Sequence, residues 1–305
     1  LTGIKAASRP GCQTGSKVVN EMRIDMSWKT IFCALSDLSR VEPTLTHAAG
    51  LARLHGAHLD VLSLGVARDP ATHYFSGAGA VMLQNTFQYC HEEAAEIDTA
   101  VRAFLEKQDG FFWSCDQGVA QIADLGHHVA DRARFADLAV LPMPYGEGLG
   151  PELAPLTEAI LFDGRIPAMV LPDAPDITLD PKRVVVAWND GREALRAARD
   201  ALPMLQRADR VHVVVVDPPV HGPNRSDPGG LISQFLVRHG CTVEVDVLSK
   251  TLPRVADVLL RRAQDVDADA LVMGAYGHSR VREAVFGGAS RYMLEHAPLP
   301  LFMAH

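Results

Sequence analysis

The chain has 305 residues, 48% of them hydrophobic and 22% charged, with a formal net charge of −8. That balance excludes a disordered chain, and the acidic charge argues against a general nucleic-acid or anionic-membrane surface, since either needs a basic face. No stretch approaches the roughly 18 uninterrupted apolar residues of a spanning helix. The cysteines at 12, 33, 90, 115 and 241 form no CxxC and are odd in number. They predict reduced thiols and a cytoplasmic setting.

Residues 1–27 show no sustained period and no apolar signal-peptide core, and read as an upstream extension outside the fold. From Trp28 onward, "TIFCAL" is a strand and "PTLTHAAGLARLHG" a helix closing on Gly56. "HLDVLSLGV" is the second strand, and a long helix runs from about Ala80 to Lys107 after a loop rich in Gly and Ala. "FFWSC" reads as the third strand, "VAQIADLGHHVADRAR" as a helix and "ADLAVLPM" as the fourth strand. "PELAPLTEAILF" is helical and "IPAMVL" is the fifth strand. The Pro- and Asp-rich "PDAPDITLDPK" then predicts a linker, placed at 173–181 between domains at 28–172 and 182–305.

The second domain repeats that order. "RVVVAW" and "VHVVVV" are β-branched, continuous runs of the kind a parallel sheet buries on both faces. Between them, "NDGREALRAARDALPML" has the apolar period of a helix, with Asp190 and Glu193 at capping-box spacing. "LISQFLVRHG" is helical, "CTVEVDVL" alternates like an edge strand, and "PRVADVLLRRAQDVDA" is helical with proline at its start. "DALVMG", a glycine stretch, the helix "ASRYMLEHA" and the strand "PLFMA" complete it. Matching the fourth and fifth strands of the two copies gives an offset near 133 residues, against 153 at the first strands. The first copy therefore carries about 20 extra residues, placed between 66 and 110. The fold class is α/β, a tandem duplication of a five-stranded, Rossmann-like parallel-sheet domain.

The glycine stretch, "GAYGHSRVREAVFGGAS" from Gly274 to Ser290, leaves the fourth strand and enters a helix. Ligands of parallel sheets collect at that end of the strands, glycines let backbone N–H groups approach phosphate, and a helix start attracts anions. It is not a Walker A loop, because no Gly-Lys-Ser/Thr follows, and it does not follow the first strand as a dinucleotide fingerprint does.

Gly274-x2-Gly277-x9-Gly287 resembles the nucleotide motif of the universal stress protein family. "ADALVMGAYGHSRVREAVFGGASRYMLEHAPLPLFMA" is similar to that family's C-terminal signature, and "VVVAWNDGREALRAARDALPML" to its first strand and helix. The resemblance covers 182–305 strongly and 28–172 as a weaker second copy. It implies an adenine nucleotide alpha-hydrolase-like sandwich that binds ATP or another adenine nucleotide, with or without Mg²⁺. It further implies dimerisation through the fifth strand, here an intramolecular pseudo-dimer with a homodimer also open, and a role in stress response without strong catalytic activity.

The implied nucleotide residues are Ala187, Trp188, Asn189, Val216, Met273, Gly274, Gly277, His278, Arg280, Gly287, Gly288, Ala289 and Ser290. Asn189 stands where the family's first strand usually ends in aspartate, and it also reads as a helix N-cap. Gly288 stands where Ser or Thr usually follows the last glycine. A loop that only turns, in a protein-interaction module, and a slow ATPase with a carboxylate-held Mg²⁺ remain alternatives. In the first copy Pro142 and Tyr145 replace Gly274 and Gly277, prolines remove donors, and Glu147 and Glu152 repel phosphate. That copy is predicted dead for phosphate. His47, His55 and His58 do not share a helix face, so no metal is predicted, and no catalytic pairing emerges from spacing.

Overall fold

Each half of the chain builds the same ladder from the apolar runs, and the two ladders join edge to edge. The computed structural model describes residues 27–68, 79–174, 177–218, 227–275 and 288–305. The first half contains β1 (Thr30–Leu35), α1 (Val41–His55), β2 (His58–Ala67), α2 (Gly79–Leu105) and β3 (Trp113–Gln121). It continues with α3 (Leu125–Ala133), β4 (Leu138–Pro142), α4 (Leu153–Glu158) and β5 (Ala168–Leu171). The second half contains β6 (Arg183–Trp188), α5 (Arg192–Asp200), α6 (Leu202–Leu205), β7 (Arg210–Val216), α7 (Gly230–Arg238) and β8 (Val243–Leu248). α8 (Val255–Asp265), β9 (Ala270–Gly274), α9 (Ala289–His296) and β10 (Leu301–Ala304) complete it.

The strands form one ten-stranded sheet in the order β3-β2-β1-β4-β5-β10-β9-β6-β7-β8. Pairing is parallel inside each half and antiparallel where β5 meets β10, with Met169 opposite Phe302. Alternating side chains send Ile31, Cys33 and Leu35 of β1 into one core and Phe32 and Ala34 into the other. The first core lies under α1, α2, α5 and α7, and the second under α3, α4, α8 and α9. Both cores run unbroken across the seam.

The seam has its own contacts. Phe302 is fully buried, and the Trp28 ring from the first half stacks on it at 5.9 Å between centroids. Trp28 Nε1 donates to the carbonyl of Asp200 at 3.3 Å, and the Phe162 ring meets His305 edge-on at 4.6 Å.

Four local expectations need correction. β3 begins at Trp113 and runs to Gln121, pairing with β2 from Leu59↔Trp113 to Ala67↔Gln121, so residues 119–121 are strand and the helix starts only at Leu125. As an edge strand, β3 alternates half-buried and exposed residues, and its polar half does not look like the buried runs. The capping box at Asp190 and Glu193 does not form: Gly191 is the N-cap, and Asp190 takes a left-handed φ of 60°. The helix beyond it breaks at Ala201, with Pro203 in the first turn of α6. Cys33 lies on β1 as expected, whereas Cys241 precedes β8. The extra length of the first copy falls between β2 and β3, where α2 has 27 residues against 9 in α7. The extension at 1–26 lies outside the described residues.

Truncating the seam's central ring should weaken the whole chain. Phe302→Ala is expected to cost about 3–5 kcal/mol, the range for a fully buried Phe, with both halves melting together in chemical denaturation. A loss below about 1 kcal/mol would show that the seam carries little.

Candidate functional site

In both halves the strand order reverses beside the first strand, between β6 and β9 in the second half and between β1 and β4 in the first. The β6–β9 ladder stops at Val186↔Val272. Beyond it, Ala187 and Trp188 pair only with Val214 and Val215 of β7, and Met273 and Gly274 only with Met303 and Ala304 of β10. Beyond that point the two strands no longer pair with each other, at the carboxyl end of the sheet and at the switch-point crevice where parallel α/β folds hold ligands.

Ala187, Trp188, Asn189, Met273 and Gly274 stand at that crevice, and Val216 ends the neighbouring β7. Alternation divides them. Trp188 packs toward the core under α5, while Ala187, Val216 and Met273 belong to the opposite core, Met273 being buried. Asn189 does not cap the helix directly: its Oδ1 accepts the Gly191 N–H at 3.0 Å and shapes the turn into α5. Asp190, two residues past β6, and Asp217, directly after β7, have φ of 60° and 45°. Non-glycine residues in that region cost on the order of 1 kcal/mol each, so two of the four such residues described sit at the strand ends that bound this region.

Gly274 has a packing reason to be glycine. A Cβ there would lie 2.6 Å from the Ala194 nitrogen and 2.7 Å from the Glu193 carbonyl carbon, because the first turn of α5 crosses directly over the end of β9. Gly288 is the N-cap of α9 in ordinary extended backbone, Ala289 is exposed, and Ser290 is buried in the first turn. Gly277, His278, Arg280 and Gly287 lie outside the described residues.

The corresponding place in the first half holds charge. Glu152 is the N-cap of α4, as Gly288 is of α9, and Ser36 follows β1 as Asn189 follows β6. The Glu152 carboxylate is fully buried. Arg68, just beyond β2, donates to it from Nε at 3.1 Å and from Nη2 at 2.7 Å, and Ser36 Oγ donates at 3.0 Å. Arg68 Nη2 also reaches the Ser36 carbonyl at 3.1 Å, and its Nη1 pairs with Glu93 at 2.8 Å. Burial works to raise the Glu152 carboxyl. The Arg68 hydrogen bonds, the residue's own backbone N–H, the guanidinium charge and Ser36 outweigh it and hold the group below the usual glutamate value. Sequence reasoning saw Glu152 only as a repeller of phosphate and missed Arg68. The one available signal was a lone arginine at the end of the second strand.

A cavity of about 630 Å³ opens beside the same half, walled by Arg40, Pro43, His47, Pro142 and Tyr145, with Glu295 and His296 arriving from α9 across the seam. The three histidines weighed for a metal have separate partners: His47 Nδ1 meets the Pro43 carbonyl, His55 packs on Trp28, and His58 Nε2 meets Ser114 Oγ.

Comparison with known proteins matches residues 181–305 to the model described as the universal stress protein family. Residues 181–305 belong to the universal stress protein family. A curated relative, universal stress protein Slr1230 of Synechocystis sp. (strain ATCC 27184 / PCC 6803 / Kazusa), is 29% identical over 91 residues. That match covers 30% of this chain and spans 31% of the relative's length. Among solved structures, a universal stress protein from Archaeoglobus fulgidus DSM 4304 superposes with a TM-score of 0.63 at 15% identity, covering 90% of this chain and 95% of that one. A putative universal stress protein from Pseudomonas aeruginosa UCBPP-PA14 gives 0.53 at 15% identity, covering 92% and 94%. At these identities the likeness shows the fold, and it spans both halves of the chain. Among the described residues, no helix is long and apolar enough to cross a membrane.

Two outcomes follow from this geometry. Gly274→Ala forces the universal stress protein domain to move α5 off β9, and should cost about 1–3 kcal/mol in thermal denaturation even without any ligand. Because Glu152 titrates lower when folded than when unfolded, its stabilisation is complete above the ordinary value of 4.5 and fades as pH falls below it. The wild-type unfolding midpoint should drop through that window, and Glu152→Gln should start lower at neutral pH and show a shallower acid loss. Parallel pH profiles for the two proteins would contradict this.

Proposed function

We propose that the universal stress protein domain binds an adenine nucleotide in the crevice between β6 and β9, and that the chain acts as a nucleotide-responsive stress or regulatory protein in the cytoplasm. The observation that carries this reading is the spacing Gly274-x2-Gly277-x9-Gly287 placed directly after β9, at the point where strand order reverses. In this reading the nucleoside is held at the strand ends by Ala187, Trp188, Asn189, Val216, Met273 and Gly274, and the phosphates meet Gly277, His278, Arg280 and the α9 start at Gly287, Gly288, Ala289 and Ser290. Residues 28–172 act as a second, degenerate copy, 173–181 as the linker, and 182–305 as the ligand-binding domain.

Phosphate-to-backbone contacts and base burial supply enough for micromolar affinity, which corresponds to about 8 kcal/mol. Because packing alone accounts for Gly274, the weight of the reading rests on the spacing of Gly277 and Gly287, which lie outside the described residues. Calorimetric titration with ATP, ADP and AMP, each with and without Mg²⁺, is expected to show binding at one site per chain. Gly277→Asp should abolish it by placing a carboxylate against phosphate. Folded protein that gives no heat with any of the three nucleotides would leave the interaction-module alternative standing instead.

A further inference from the structure

The first half places a side-chain anion at the helix start that corresponds to Gly288 in the second half. Ser36 and Glu152, the counterparts of Asn189 and Gly288, are joined directly by a hydrogen bond of 3.0 Å. Arg68 presents the Nε and Nη2 edge of its guanidinium to both carboxylate oxygens, the fork that suits carboxylate and phosphate alike. The fork is held from behind. Arg68 Nη1 is tied to Glu93, whose other oxygen accepts the Val66 N–H at 3.2 Å, so the guanidinium is positioned by groups other than Glu152.

The loop is also shaped around the carboxylate. A Cβ on Gly150 would lie 2.4 and 2.5 Å from the two Glu152 oxygens, so only glycine leaves the carboxylate its place.

We propose that the Glu152 carboxylate is a built-in ligand filling a small-oxyanion site made by Arg68 and Ser36, which keeps that site permanently occupied. Arg68 and Ser36 are the receptor, and Glu152 is a tethered occupant present at effectively saturating local concentration. A free carboxylate or phosphate cannot compete with it in the native chain. The Arg68–Ser36 site is then closed to outside ligands, and this holds whether or not the second half binds nucleotide.

Deleting the occupant while keeping the receptor should convert the closed site into a free one. In the full chain, Glu152→Ala is expected to lower the unfolding midpoint by about 5 °C or more, since one partner of a buried pair is lost. Formate at about 100 mM should then recover at least half of that loss, as a ligand that binds only the folded state does. Inorganic phosphate should do the same beyond any response of the wild type. Wild type should gain nothing from formate beyond a sodium chloride control, and neither should Glu152→Gln, whose amide still fills the space. Adding Arg68→Met to Glu152→Ala should erase the rescue. If Glu152→Ala does not fold alone, formate should restore its folded circular-dichroism signal. The proposal is overturned if formate restores neither midpoint nor fold, if rescue survives Arg68→Met, or if Glu152→Gln is rescued equally.

Discussion

The antiparallel pairing of β5 with β10 is the contact on which the rest of the molecule depends. Four-residue strands with wholly buried side chains would be untenable as free edges, because each would present apolar surface and a row of unpaired backbone groups to water. Pairing them removes both edges and lets two cores extend through the whole chain. The packing of Trp28 on Phe302 and of Phe162 on His305 adds apolar contact to either side of the strand pair. Because the seam is antiparallel while each half is parallel inside, the carboxyl ends of the two sets of strands point in opposite directions. The two crevices therefore open on opposite ends of the sheet, and any influence of one on the other must pass through the seam.

That separation leaves each crevice free to take its own course. The second half keeps small residues at its mouth, with Gly274 at the strand end and Gly288 at the start of α9. The first half has filled the same place from within, with a carboxylate whose burial is tolerated only because Arg68 and Ser36 supply its hydrogen bonds. A buried ion pair of this kind adds little net stability against a well-packed apolar substitute, so its value lies in specifying one closed arrangement.

Much of the fold was legible because parallel strands covered on both faces must be continuous and apolar, and "RVVVAW" and "VHVVVV" can hardly be anything else. β3 was misjudged for the converse reason: at a sheet edge it carries Asp116, Gln117 and Gly118 in mid-strand, and only its pairing with β2 reveals it. That Gly274 closes the fourth strand was legible in the sequence. The reason for Gly274 was not, because it depends on where the first turn of α5 crosses β9. The Arg68–Glu152 pair was hidden as well, since 84 residues separate its members and no local period links them.

Gly274 and Pro142 show how one residue at the end of a strand sets the shape of each half. In the second half only Asn189, Asp190 and Gly191 connect β6 to α5, and the short link brings the helix down until its backbone touches the strand end. Only glycine fits beneath it. In the first half a 3-10 turn at Leu38–Arg40 precedes α1, and Pro142 with its ring occupies the strand end instead. Arg40, Pro43 and Pro142 all line the cavity at this place. The bulkier residue and the longer connection go together, since a helix entering as low as α5 does would meet the proline ring. The end of the fourth strand of each copy thus lies directly under a helix where the sequence keeps glycine and borders a hollow where it has proline. The first half's internal anion does not line that hollow, leaving the first half one closed polar site and one open space of mixed lining.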